Sequence, residues 1–246
     1  MTMTDARSVA EDGAAMRWPA QPSTLPLLLH QGRAGFVALC CKRNGDSGRF
    51  QSRNYRLPEL IRNMPTFADP GDWYVSANAF KARTRRLSDL LGLRANFLDL
   101  DYYREPALSD FSPKDVWEIG QARLLARRIP RPQAAIFTGR GLQLVWAIGD
   151  LPARAHSRWR AVQDHLAKVL SDLGADRNAL DASRVLRLPG TLNSKSGQLA
   201  VFAFLDQDTR TSFEELAHAV LPVERSVLRE QRQKRAAGRL SGVSTR

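Results

Sequence analysis

Ala95-Asn96-Phe97-Leu98-Asp99-Leu100-Asp101 is the stretch on which the reading of this chain turns. Phe97, Leu98 and Leu100 give it the apolar crowding of a short buried strand. Two carboxylates nevertheless close it, two positions apart. Side chains at i and i+2 of a strand leave from the same face, so Asp99 and Asp101 point together. Like charges held side by side repel, and burying them without a partner is costly. A divalent cation relieves both problems, and Mg²⁺ or Mn²⁺ favours oxygen ligands of this kind. The competing reading makes one Asp a turn cap and leaves the other solvated at the strand end.

The surrounding composition narrows the choice. The chain has 246 residues, enough for one large domain or two small ones. Its 37 Lys and Arg against 25 Asp and Glu leave a net charge of +12, which favours a polyanionic partner over a neutral small molecule. Arginine dominates the basic set and suits bidentate phosphate contacts. The only cysteines, Cys40 and Cys41, are neighbours on a strand-like run and face opposite ways, which argues against a disulfide or a zinc site and for a reducing cytoplasm. Leu25 to Leu29 is too short to span a bilayer, no basic amphipathic helix with an aromatic face stands out, and the N-terminus lacks a signal-peptide layout. A cytoplasmic protein with no membrane partner is expected.

Working outward from the acidic strand, residues 1–30 lack periodicity and are expected to be flexible. Strands are expected over Gly35–Cys41 and Asp72–Asn78, with a short helix over Leu57–Asn63 between them. Lys81, Arg83, Arg85 and Arg86, spaced by Ala82 and Thr84, form a basic run that is either a solvated face or a loop that tracks nucleic-acid phosphates. Tyr102 and Tyr103 follow Asp101 directly, placed for stacking on a base or for packing. A helix over Lys114–Ile129 opens on Ser112-Pro113. Strands at Ala134–Thr138 and Leu142–Ile148 flank Gly139-Arg140-Gly141 as a hairpin. A long amphipathic helix covers Ala153–Leu173, a strand Gln198–Phe204, and a helix Ser212–Leu221 with Ser212 as cap. Residues 223–246 carry seven basic residues against Glu224 and Glu230 and read as a basic linker or the start of a helical C-terminal region. The core domain is thus expected over residues 31–222, with strands and helices interleaved as in an α/β or α+β fold.

Three constellations carry chemistry. The first is Asp99 with Asp101. The second is Thr138-Gly139-Arg140-Gly141-Leu142-Gln143, in which Gly139 and Gly141 free backbone N–H groups to cradle a phosphate beside a hydroxyl, a guanidinium and an amide. The third sets Asp181 before Arg184, Arg187, Asn193 and Lys195 around a Pro-Gly turn. Nucleotidyl transfer asks for two divalent ions held by carboxylates and flanked by cations for the triphosphate, and the three sets together match that demand. Asp99 and Asp101 would bridge the metals, and Asp181 would hold the ion that activates the attacking 3′-hydroxyl.

The order Asp-x-Asp, then small-Gly-Arg-Gly-x-Gln on a strand, then Asp-x-x-Arg-x-x-Arg-x-Pro-Gly-Thr-x-Asn-x-Lys resembles the archaeo-eukaryotic primase superfamily. Its RepB-type plasmid and mobile-element replication primases are the nearest likeness, over roughly Asp72 to Phe204. The run Leu186-Arg187-Leu188-Pro189-Gly190-Thr191-Leu192-Asn193 is its most specific part. The resemblance implies an RRM-like antiparallel sheet joined to a second α/β unit with flanking helices, and an active site in the cleft between them. It implies primer synthesis on single-stranded DNA from nucleoside triphosphates with Mg²⁺ or Mn²⁺. A replicative helicase or a C-terminal domain is a further implied partner. Asp99, Asp101 and Asp181 fall on the family's carboxylates, and Thr138, Arg140 and Gln143 on its nucleotide-binding motif. Gln143 stands where many members have histidine, and glutamine cannot carry a positive charge. A non-catalytic initiator or single-strand-binding module is the rival class. A rolling-circle nuclease needs a His-x-His pair, which His30, His156, His165 and His218 do not provide.

Overall fold

The computed structural model describes residues 21–42, 50–66 and 68–221. Two antiparallel sheets organise it. Strands β1 (Val37–Lys42), β2 (Gln51–Tyr55), β3 (Asp72–Ser76) and β8 (Val185–Arg187) form one, in the order β2-β1-β3-β8. Strands β4 (Ala79–Phe80), β5 (Leu90–Leu100), β6 (Ala134–Phe137), β7 (Leu142–Pro152) and β11 (Val201–Leu205) form the other, in the order β11-β6-β7-β5-β4. A two-stranded ribbon of β9 (Leu192–Asn193) and β10 (Gln198–Leu199) completes the strands. This is the mixed, antiparallel α/β architecture that the sequence implies.

The four-stranded sheet is sharply two-faced, as the period of 2 in a strand allows. Val37, Leu39, Val75 and Leu186 join one apolar core with Leu25, Leu28 and Leu29 of helix α1 (Thr24–His30) and Leu60 of α2 (Leu57–Arg62). The alternate positions are polar: the register sets Ser52, Cys40, Tyr74 and Arg187 side by side across β2, β1, β3 and β8. On the five-stranded sheet, α4 (His156–Val169) packs against β5. Trp159 donates its Nε1–H to the Ala95 carbonyl (2.9 Å), and Gln163 bonds both the N–H and the carbonyl of Phe97 (2.9 and 3.0 Å). Helices α3 (Pro113–Ala126) and α5 (Phe213–Val220) complete the layer, each opened by a serine cap: Ser112 accepts from the Asp115 N–H and Ser212 from the Glu215 N–H.

Several boundaries differ from expectation, each for a tertiary reason. The segment expected to be flexible ends in α1, whose Leu25, Leu29 and His30 are sealed from water; the residues before 21 lie outside the described part. Strand β5 begins at Leu90 rather than Ala95, and carries a buried arginine, Arg94, held by His30, the Ala34 carbonyl and Asp150. Edge strand β2 lies where no strand was expected, because it is polar and pairs only with β1. The basic segment 223–246 lies outside the described residues. Among the described residues, no helix is long and apolar enough to cross a membrane.

Candidate active site

Asp99 is the last polar residue of β5 and stands opposite Gln143 on β7. Its carboxyl is pushed up to about 6: burial is the main cause, with the charges of Asp101 and Asp176 adding to it against a Gln143 hydrogen bond and the charge of Arg184. Asp101 follows the strand end, half-buried, and pairs with the exposed Arg104 at 3.4 Å. Asp176 is the residue that sequence reasoning missed. The segment Gly174–Asp176 extends the sheet past β5: the Asp101 N–H donates to the Gly174 carbonyl (2.8 Å), and the Asp176 N–H donates to the Asp99 carbonyl (2.8 Å). Gly174 makes this possible, since its φ is +76° and a Cβ there would stand 2.8 Å from the Asp101 backbone. In sequence Asp176 looks like a turn acid, and no local signal ties it to a strand dozens of residues earlier.

Asp181 is engaged by its own turn. Its Oδ1 accepts from the Ser183 N–H (3.1 Å) and hydroxyl (2.6 Å), and its Oδ2 pairs with Arg184 at 3.0 Å. Among the described residues, no three His, Cys, Asp or Glu side chains stand close enough together to hold one ion. The expected convergence of Asp99, Asp101 and Asp181 is therefore not what the fold displays. The chemistry of the pair still fits a divalent cation. Burial and two neighbouring carboxylates make Asp99 hold a proton more readily than an ordinary carboxylate, a shift that a bound hard cation with oxygen ligands would oppose.

Several residues expected to touch a nucleotide are internal struts. The Gln143 side-chain carbonyl accepts from the Arg187 N–H at 3.1 Å while its amide bonds Asp99, so this buried residue ties one sheet to the other. Arg187 donates to Asp72 (2.8 Å) and to the Tyr74 hydroxyl (2.7 Å), and the side chains of Arg187 and Asp72 are only 8% and 5% exposed. Burial pushes the Asp72 carboxyl up, but bonds from the Ser194 hydroxyl and N–H and from Arg187 outweigh it and hold it below the usual range. Asn193 donates to the Thr138 carbonyl (2.7 Å) and accepts from the Lys195 N–H (3.0 Å). Thr138 and Gly141 bond each other within the hairpin turn. Gly139 leaves no room for a side chain: at φ +90° its Cβ would meet Ser196 Oγ at 2.8 Å and Asn193 Cβ at 2.9 Å. Hairpin and Pro-Gly turn, distant in sequence, are thus locked together.

The groups left at the rim are mainly cationic. Arg140, exposed at the hairpin tip, lies 4.3 Å from the Tyr103 ring centre, and Arg104 packs on the same ring at 5.6 Å. Lys195 is exposed on the adjoining turn. In the basic loop, Lys81 and Arg86 are exposed. Arg83 is committed to the Asn54 carbonyl (2.9 Å), Glu59 (3.4 Å) and the face of Phe36 (5.3 Å). Arg85 turns inward to the Ser183 carbonyl at 2.5 Å. The loop therefore lies beside the Asp181 turn, with Arg85 drawn into the fold and Lys81, Arg83 and Arg86 left exposed.

No protein-family model matches the chain. A replication protein of Clostridium perfringens is 41% identical over 123 residues, which are 50% of this chain and 29% of that protein. Among solved structures, the AEP domain of the cyanophage S-2L primase-polymerase is similar with a TM-score of 0.54 at 16% identity, covering 83% of this chain and all of that domain. Primase RepB′ is similar at the same score and identity, over 91% of this chain and 68% of that chain. The catalytic domain of RepB′ in complex with initiator DNA matches over 87% and 96%, again at 0.54 and 16%. The fold is thus that of archaeo-eukaryotic primase domains, RepB-type replication primases among them, and half of this chain is akin in sequence to a replication protein.

Proposed function

We propose that this chain is a cytoplasmic primase or primase-polymerase that makes primers on single-stranded DNA for replication of a plasmid or mobile element. The observation that carries the reading is the Asp99–Asp101 pair. It is kept in a partly desolvated niche at a strand end, with cations around it, on a primase fold. Asp99 and Asp101 would hold Mg²⁺ or Mn²⁺, with Asp176 a further acid whose charge acts on Asp99 and Asp181 paired with Arg184. Two carboxylates suffice for such an ion, because Mg²⁺ commonly keeps waters and takes its remaining ligands from substrate phosphates. When bound, the metal supplies charge neutralisation at the triphosphate and lowers the barrier to attack by a 3′-hydroxyl.

The chain's own residues do the positioning. Gln143 fixes the Asp99 carboxylate against β8, and the Arg187–Asp72 pair fixes β8 against β3. Arg140, Arg184 and Lys195 supply positive charge for a nucleoside triphosphate. Lys81, Arg83 and Arg86 supply it for the template. A helicase or a further domain of a longer protein would act downstream of the primer. The rival reading, a DNA-binding initiator without turnover, makes no use of paired acids that repel the phosphate backbone.

Asp101→Ala is expected to abolish metal-dependent primer synthesis on a single-stranded template while the far-UV circular dichroism stays unchanged. Labelled nucleotides still extended by that variant would remove Asp101 from the reaction.

A further inference from the structure

Helix α3 is apolar on two opposite sides. Val116, Trp117, Gly120 and Leu124 are buried on the inner one, where Trp117 stacks on Phe204 of edge strand β11 at 5.6 Å. Asp115, Glu118, Ala122 and Leu125 recur at steps of three and four, which sets them on one outward stripe, bordered by Ile119 and Ala126. Leu125 is the most exposed large apolar side chain among the described residues, at 79%. At the start of the same stripe Phe111 is 40% exposed, and it joins Asp110, Asp115, Glu118 and Ile119 around an open groove of about 360 Å³. A lone exposed leucine needs no explanation, but one that shares a helix face with an apolar groove offers both halves of a contact.

The charge along the stripe is graded. Asp110, Asp115 and Glu118 are exposed at its start, and Arg127 and Arg128 are exposed just past its end. Arg128 closes the helix at a φ of +55°, and the Ile129 N–H returns to the Leu124 carbonyl at 2.9 Å. The helix dipole accounts for this gradient within one chain, but not for the bare leucine beside the arginines. Two such helices laid parallel would set acid against acid and base against base. Laid antiparallel, each basic end meets an acidic groove. With Ala122 on the two-fold axis, Leu125 of one copy lies opposite Ile119 of the other, and Arg127 and Arg128 lie opposite Glu118 and Asp115. Alanine at the crossing lets the two backbones approach closely.

We propose that this chain pairs with a second copy of itself through antiparallel α3 helices, the Leu125 side chain of each filling the acid-rimmed groove of the other. One patch supplies both knob and groove, so the contact closes on itself as a two-fold dimer. The inference does not depend on the primase reading.

The test is sedimentation velocity of the full chain from low to high micromolar concentration, in moderate salt to screen the repulsion between two chains of net charge +12. Wild type should show a monomer–dimer equilibrium. Leu125→Glu should weaken it about tenfold or more, the worth of burying a leucine side chain. Arg127→Glu should also weaken it, and adding Glu118→Arg to that variant should restore it, because the exchanged charges meet again across the axis. Both positions are exposed, so thermal melting of the variants should follow wild type. A wild type that stays monomeric, a dimer indifferent to Leu125→Glu, or a double variant that stays weak would each overturn the pairing. So would a monomer in which carbodiimide joins Lys234 to Asp115 or Glu118, since the groove would then hold the chain's own basic segment.

Discussion

At Arg187 a full charge is nearly sealed from water, and its partners are Asp72, the Tyr74 hydroxyl and the Leu192 carbonyl. Removing one side of such a pair strands the other. Arg187→Ala is therefore expected to destabilise the protein by about 3–5 kcal/mol, read from urea unfolding, because Asp72 is left buried and unpaired. His30 is the second residue where burial sets the chemistry. Its Nε2–H donates to the Ser76 carbonyl (3.0 Å), and its Nδ1 accepts from Arg94 (2.9 Å), which fixes the tautomer. Burial first, and then the charge of Arg94, lower its pKa from 6.5 to about 3. The imidazole is neutral in the fold and protonates more readily in the unfolded chain, so its contribution is complete above 6.5 and is lost as pH falls toward 3. Asp99, raised from 3.8 to about 6, acts in the opposite sense between about 6 and 3.8. The difference in urea midpoint between wild type and His30→Gln isolates the histidine: it should shrink from about pH 7 to about pH 5. A difference that does not move with pH would show that His30 titrates alike in both states.

At the scale of elements, the site depends on short segments added to strand ends. Gly174–Asp176 lengthens the sheet beyond β5 and brings Asp176 to the acidic pair. Gly174→Ala combines a positive φ with a Cβ driven to 2.8 Å from the Asp101 backbone, so the segment must withdraw. Gly149 has a comparable φ of +89°, with nothing within 4 Å of the site of a Cβ. Both substitutions carry the strain of a left-handed residue, about 1–3 kcal/mol, but only Gly174→Ala should reduce primer synthesis beyond what its lowered stability explains. Equal activity losses at equal stability would mean that the Gly174 segment does not position the site. This level was only partly readable from sequence. The helix caps at Ser112 and Ser212 and the Gly139–Gly141 hairpin follow from local chemistry. The β2 edge strand and the start of β5 do not, since a polar edge and a buried Arg94 both break the alternation by which a strand is recognised.

At the scale of the whole molecule, the chain carries a surplus of +12 charges. Cations lying along a nucleic-acid backbone release counterions, so template affinity should fall steeply and linearly with salt on logarithmic axes. Lys81→Ala and Arg86→Ala should each reduce that slope by about one, without regard to template sequence. Affinity that is flat between low and moderate salt would mean that the strand is not held by this basic face. The same charge count cannot distinguish cations that meet a ligand from those spent inside the fold, and here Arg94 and Arg187 belong to the second group.

The sequence alone determined what depends on near neighbours: an acidic strand end, a hairpin freed by glycines, capped helices, a basic balance and a motif order shared with primases. Only the tertiary structure decided which polar groups face each other. Asp72 meets Arg187 across 115 positions, Gln143 meets the Arg187 N–H across 44, and Asp176 reaches Asp99 by a backbone bridge. The physical reason is that a side chain's period along the chain fixes the face it takes, whereas its partner is fixed by sheet register and by the cost of burying a charge alone.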